Sequence, residues 1–283
     1  MWPSTWLPFL YPPPASVYVA AMSAVSLVSM ANAGLAELRG THMAYSKFWH
    51  VVAAGAGGNN SNKNRGGGAL LKSRDGMLVA YVPALLAAAA ASFAVPGAVD
   101  GPRAQILSAA LAAHFLKRVL EVLLVHRYSG SMPVDTAATI GTSYFVSTAT
   151  MIYAQHLSVG LPDPPVDLLY PGVAVFAAGI AGNFYHHYLL SKLRSDNGGG
   201  GGGDNGYKIP RGGLFEFVTC PHYLFEILGF FGFAMIGQTA YALAVATGTA
   251  AYLAGRSCAT RRWYQSKFEE FPERIKALVP FLL

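Results

Sequence analysis

Lys117, Arg118 and Glu121 sit in the apolar run His114-Phe115-Leu116-Lys117-Arg118-Val119-Leu120-Glu121. Spacings of three and four place Glu121 beside both bases on one helical face. An ionised side chain inside a membrane costs about 2.5–3.5 kcal/mol on insertion scales, so such groups face a bundle interior or an aqueous cavity. Two readings follow. The trio neutralises itself near the cytoplasmic end of a helix, with its charges reaching water. Or one base, Arg118 in the first place, points at an anionic ligand group while Glu121 orients the pair. Asn183, in Gly182-Asn183-Phe184-Tyr185-His186-His187, poses the same choice. Its buried amide must find a partner, either on a neighbouring helix or on a ligand. The run Gly206-Tyr207-Lys208-Ile209-Pro210-Arg211-Gly212-Gly213-Leu214-Phe215 places glycines, two cations and a phenol at the mouth of an apolar segment that carries His222 and Glu226. That mixture suits a polar, anionic ligand, and Glu226 is positioned to pair with a base of the same pocket. His186, His187 and His222 lie near one another, but a histidine-box metal centre needs several such clusters, and no metal site is expected.

These residues need long apolar helices to hold them. The chain has 283 residues, 53% of them hydrophobic and 12% charged, with a mean hydropathy of +0.36. A soluble domain averages roughly 25% charged residues, and half that number leaves too little polar surface for a water-soluble particle of this size. A spanning helix needs about 20 apolar residues. The stretches 12–34, 76–96, 104–125, 139–158 and 168–190 qualify, and 223–254 is long enough for two passes joined near Gly237-Gln238. The expected fold is an all-α polytopic membrane protein with about seven transmembrane helices, or six if 223–254 is one tilted helix with a re-entrant piece.

Charge supports seven. Seventeen of the 20 basic residues fall in segments 35–75, 126–138, 191–222 and 255–283, which seven spans put on one side. The positive-inside rule makes that side cytoplasmic and the N-terminus lumenal. The net charge of +6 is thereby explained by topology, and no polar surface suited to nucleic acid goes with it. Met1 to Trp6 lack a basic n-region, so the first apolar stretch reads as a retained anchor. The chain divides into that anchor (1–34), a basic cytoplasmic loop (35–75) and a membrane domain (76–283). The Gly/Asn-rich stretches 53–68 and 195–206 read as flexible loop expansions, and no GK[ST] ending makes the six-glycine run a phosphate loop. Cys220 and Cys258 read as reduced, cytosol-facing thiols.

Over roughly residues 75–283 the chain resembles the steroid 5α-reductase superfamily. The likeness rests on His114 to Glu121 with His126-Arg127-Tyr128-Ser129, on Asn183 to Arg194, on the Tyr207–Gly213 run, and on the ending Lys276-Ala277-Leu278-Val279-Pro280-Phe281. The third-span segment is equally similar to the very-long-chain enoyl-CoA reductase branch. The resemblance implies a multi-pass enzyme of the endoplasmic reticulum membrane that reduces a C=C bond conjugated to a carbonyl, with NADPH as hydride source. Carried over residue by residue, the cofactor-binding candidates are Tyr45, Arg118, Asn183, Arg194, Tyr207, Lys208, His222, Arg256 and Tyr264, with Asn183 facing the nicotinamide carboxamide. A dinucleotide with a 2′-phosphate suits such Arg and Lys donors. His222 stands where the family has Asn, His187 where it has an acid, and Thr260 where it often has His.

The chemical centre departs further. The steroid enzymes grip the 3-oxo group with a Glu two residues before a Pro and a Tyr after the third-span His. With Pro83 setting the register, those positions hold Tyr81 and Phe115. Tyr81 is the catalytic candidate, a phenol able to donate to the oxygen as it gains charge; the alternative is an ordinary buried tyrosine bonded to a backbone carbonyl. The expected substrate is a lipid-like enone or an enoyl thioester, with partners in a lipid-synthesis complex conceivable. Two further readings stay open at this point: a trans-2-enoyl-CoA reductase of fatty-acid elongation, and a catalytically inactive membrane scaffold.

Overall fold

The computed structural model describes residues 7–43, 69–128, 130–195 and 208–283. Seven α-helices occur among them: α1 (Val17–Leu38), α2 (Ser73–Ala94), α3 (Gly101–Leu120), α4 (Val134–His156), α5 (Leu169–Ser195), α6 (Pro221–Gly237) and α7 (Ala240–Lys267). The low-complexity stretches lie outside the described residues, except for Ser195, which ends α5. By length and composition, α1 and α2 are apolar enough to cross a membrane, and α6 is a shorter apolar helix. Val17, Val25 and Val28 of α1 and Leu86 and Phe93 of α2 point outward, a surface that suits lipid.

Local chemistry sets most of the boundaries. Ser16 caps α1 by accepting from the Val19 amide at 3.3 Å, and Thr239 caps α7 through the Ala242 amide at 3.3 Å; each satisfies an otherwise orphaned first-turn donor. Prolines open α3 and α6, where the missing N–H costs nothing. The stretch 223–254 divides into two helices where a turn was expected, at Gln238, whose φ is 48°. The last helix, α7, runs unbroken to Lys267, since nothing between Arg256 and Lys267 breaks a helix, so Arg262 to Lys267 belong to α7 itself. The chain is also not purely helical. Leu70–Lys72 and Ser131–Pro133 form a short antiparallel pair, β1 and β2, tying the start of α2 to the start of α4.

The closest helix pairings are α5 with α6, α1 with α7, and α2 with α4. Small residues permit them. A Cβ on Gly141 of α4 would lie 2.6 Å from the Val79 oxygen of α2, and one on Gly34 of α1 would lie 2.5 Å from the Ala251 oxygen of α7. Backbones in contact gain dispersion along their length, the main attraction between helices in lipid. Where α1 ends, on the α1–α7 seam, Glu37 pairs with Arg256 at 2.5 Å and with His42 at 2.6 Å.

At the opposite end, Gln238 ties four segments together. Its Nε2 donates to the Phe9 oxygen at 2.5 Å and the Val166 oxygen at 2.8 Å. Its Oε1 accepts from Arg103 Nη1 at 2.8 Å and the Leu168 amide at 2.9 Å. Arg103 also holds Asp167 at 2.6 Å, and the Leu169 amide, with Arg103, keeps the Asp167 carboxyl below its usual range. Gln238→Leu takes this partner from the Phe9 and Val166 oxygens and the Leu168 amide, while Arg103 keeps Ile236 and Asp167; a buried polar group left without a partner costs about 1–3 kcal/mol. The expected result is a drop of several degrees or more in the detergent melting temperature; no drop would mean that water replaces the side chain.

Candidate active site

Tyr81 (α2), Arg118 (α3), Glu121 and His187 (α5) form one buried chain of contacts. Glu121 begins a π-helical turn, Glu121–Val125, that continues α3; such turns widen a helix locally and recur at functional sites. Arg118 Nη1 donates to Glu121 Oε2 at 3.0 Å, and Lys117 Nζ reaches Glu121 Oε1 at 2.9 Å. The i+3 and i+4 pairing expected from spacing is present. Arg118 Nη2 donates to the Tyr81 hydroxyl, and the guanidinium lies over the Tyr81 ring, 4.7 Å from its centroid. Tyr81 therefore bonds to a cation, not to a backbone carbonyl. His187 Nδ1 lies 3.1 Å from Glu121 Oε1 and 3.2 Å from Arg118 Nη1. A protonated Nδ1 donates to the carboxylate, and a bare one accepts from the guanidinium.

A guanidinium can only donate. The Tyr81 oxygen must accept from Arg118, which leaves the phenolic proton to point elsewhere. Charge and geometry thus combine to make Tyr81 a donor beside a fixed cation.

Asn183 and His222 join the same site. Lys117 Nζ donates to Asn183 Oδ1, and Asn183 Nδ2 donates to the His222 carbonyl oxygen at 2.8 Å. The amide links three helices, and one N–H and one lone pair are left over for a ligand. The His222 ring lies 5.5 Å from that of His187. Glu226, buried on α6, acts electrostatically on Tyr81, Lys117 and Arg118. Glu121, His126 and His187 offer possible metal-ligand atoms within 4.8 Å of one another, but Lys117 and Arg118 already neutralise that carboxylate, and a dication would face both.

The remaining cofactor candidates lie apart. Arg256 is 1% exposed and turned toward Glu37. Tyr264 stacks on Phe268 and Phe271 in a tail cluster that includes Ile209. Lys208 is exposed. Tyr45, Tyr207 and the side chain of Arg194 lie outside the described residues. The central residues fit one end of a nicotinamide cofactor: Arg118 Nε is buried with no hydrogen-bond partner, and Asn183 retains the donor and acceptor that a carboxamide needs. Arg256 does not, because Glu37 takes up its charge.

The loop from Lys208 to Glu216 is held from two sides. His186 Nδ1 donates to the Gly182 oxygen at 2.7 Å, which leaves Nε2 to accept from the Leu214 amide at 3.1 Å. Gly213, at φ 54°, passes so near that a Cβ would lie 2.8 Å from His186 Nε2. On the other side, the Thr219 and Cys220 amides donate to the Lys276 and Ala277 oxygens at 2.8 and 3.1 Å. His186→Ala removes the only side-chain acceptor of the Leu214 amide among the described residues. Trypsin is then expected to cut after Lys208 and Arg211 roughly tenfold faster, the effect of about 1.4 kcal/mol of local opening. Unchanged cleavage would show that the tail contacts suffice.

Sequence reasoning did not single out Tyr144 or Glu37. Tyr144 packs against Tyr81, but nothing marks it in the primary structure. Glu37 had a signal, an acid ending the first apolar stretch with Arg256 ending the last.

Residues 132–283 match the family model described as 3-oxo-5-alpha-steroid 4-dehydrogenase. The chain is 33% identical over 189 residues to the very-long-chain enoyl-CoA reductase of Dictyostelium discoideum, covering 65% of this chain and 61% of that protein. It is 48% identical over 79 residues to 3-oxo-5-alpha-steroid 4-dehydrogenase 1 of Macaca fascicularis, covering 28% and 30%. It is 46% identical over 80 residues to steroid 5-alpha-reductase DET2 of Gossypium hirsutum, covering 28% and 31%. The chain thus spans about three fifths of the first relative and under a third of the other two.

Proposed function

The chain belongs to the 3-oxo-5-alpha-steroid 4-dehydrogenase family, and on that premise we propose that it is a membrane reductase that saturates a C=C bond conjugated to the carbonyl of a lipid, with NADPH as reductant. The observation that carries this reading is the buried Tyr81 phenol held against Arg118. Reduction delivers a hydride to the β-carbon, develops negative charge on the carbonyl oxygen and adds a proton at the α-carbon. Bound NADPH supplies the hydride. Tyr81 donates a hydrogen bond to the oxygen as it becomes enolate-like, and the Arg118 charge stabilises what accumulates there. Glu121 and His187 keep Arg118 in place. Arg118 and Asn183 hold the cofactor at the nicotinamide side, and exposed Lys208 and Arg211 draw its phosphates toward the cytoplasmic end.

An enoyl thioester is the second reading. It is favoured by the longer reach of the match to the enoyl-CoA reductase, 189 residues against 79 for the macaque steroid enzyme, and by the absence of the carboxylate and phenol that grip a 3-oxo steroid. Seven spans in the endoplasmic reticulum, lumenal N-terminus and cytoplasmic tail complete the proposal. Its support is the lopsided distribution of basic residues.

The test is NADPH oxidation by the purified protein in detergent with a 3-oxo-Δ4 steroid, trans-2-hexadecenoyl-CoA and a polyprenal. Turnover of one of them, lost in Asn183→Ala, supports the reductase and names its branch. NADPH binding without turnover of any would turn the reading toward an inactive scaffold, and no NADPH binding would overturn the cofactor assignment.

A further inference from the structure

Tyr144 of α4 stands where the Tyr81 cluster meets the main apolar core. Its ring centroid lies 5.7 Å from that of Tyr81 and 5.4 Å from that of Phe115, inclined at 67°. Phe115 follows His114, the place where the family likeness implies a phenol. The phenol that α3 lacks is therefore present on the next helix, against the same ring.

Backbone packing explains how it gets there. Gly141 precedes Tyr144 by three residues, so both lie on one face of α4. A Cβ at Gly141 would be 2.6 Å from the Val79 oxygen, so α4 and α2 touch at that level. The next turn of α4 then carries the Tyr144 ring to Tyr81. Phe115 and Tyr81 are buried, whereas Tyr144 is only partly so.

We infer that Tyr144 is a second hydrogen-bond donor to the substrate carbonyl, acting beside Tyr81 and replacing from α4 the phenol absent at Phe115. The inference rests on the reductase reading. A carbonyl oxygen has two lone pairs. With Tyr81 alone, the second finds no donor in the neighbouring Ala84, Phe115 and Val122, and only the Arg118 charge answers it. A second phenol fills that place. It keeps its proton throughout; the hydride comes from NADPH and the α-proton from solvent.

The experiment uses the full chain in detergent with carbonyl-¹³C trans-2-hexadecenoyl-CoA and a 3-¹³C 3-oxo-Δ4 steroid as probes. The infrared carbonyl band of the bound probe is recorded beside turnover in the parent, in Tyr144→Phe, and in the relocated-phenol variant Phe115→Tyr/Tyr144→Phe. In Tyr144→Phe the band is expected to move to higher wavenumber and kcat to fall on the order of 10²-fold, with KM and melting temperature little changed. Returning the phenol to position 115 is expected to restore the band and at least part of kcat. A purely structural Tyr144 would move neither band nor kcat and would sink the inference. A band that responds to Tyr144→Phe in a protein without turnover would keep the contact and overturn the reductase reading. Failure to bind either probe would overturn both.

Discussion

Glu121→Ala is expected to be the most destabilising single substitution in this chain. Glu121 is 1% exposed and faces Lys117 at 2.9 Å, Arg118 at 3.0 Å and His187 at 3.1 Å. Removing one member of a buried ionic group costs about 3–5 kcal/mol, because the partner charge stays buried and uncompensated. Here two cations lose their carboxylate at once. Lys117 and Arg118 cannot swing to water without giving up Asn183 and Tyr81. The expected readout is loss of the folded peak in size-exclusion chromatography in detergent, or a melting temperature too low to sustain purification. Glu121→Gln keeps an acceptor and is expected to fall between. The triple change Lys117→Met/Arg118→Leu/Glu121→Leu removes charge and counter-charge together and is expected to recover most of the stability while leaving activity absent. If Glu121→Ala melts like the parent, the bases reach water and the trio is a surface device.

Tyr81→Phe carries the largest expected effect on turnover. Removing one donor to a developing oxyanion lowers kcat by roughly 10²–10³-fold. The ring stays, and with it the cation–π contact of Arg118, 4.7 Å from the centroid, so the loss is confined to one oxygen. NADPH binding followed by fluorescence is expected to be unchanged, because Arg118 keeps Glu121. KM should move little, since the contact strengthens as charge develops. A variant with parental kcat would show that Tyr81 only positions Arg118. Arg118→Lys separates the roles further: it retains a charge and loses the fork that reaches Glu121 and Tyr81 together.

Much of this arrangement could be read from local spacing. Lys117, Arg118 and Glu121 announce their pairing because i+3 and i+4 neighbours meet on any helix. Gln238 lies at the break expected in 223–254, since an apolar stretch too long for one crossing must turn. What stayed hidden depends on how helices rotate against one another. The Arg118 Nη atoms meet Glu121 and also Tyr81 of α2, 37 residues earlier, and no local spacing signals that second partner. Arg256 likewise meets Glu37, 219 residues away. Tyr144 carries no local signal at all, since a tyrosine in an apolar helix looks the same whether it lines a site or a lipid face. The β1–β2 pair was missed because three-residue strands have no periodicity to detect.

The seam between α1 and α7 bears on how the protein is made. A ribosome delivers α1 before α7, so α1 waits for its partner while α2 to α6 are made. During that interval the face around Gly34 is open, and Glu37 lacks Arg256. Chains arrested before Ala240 are therefore expected to leave a cysteine in place of Ser26, buried beside Gly248 of α7, reactive toward membrane-soluble reagents, and chains released after Lys267 to protect it. Protection that appeared before α7 emerged would mean that another protein covers α1 in the meantime. The seam closes like a clasp, its two helices meeting only once α7 is made, and a nascent chain that stalls before then leaves Glu37 with His42 but without the Arg256 guanidinium.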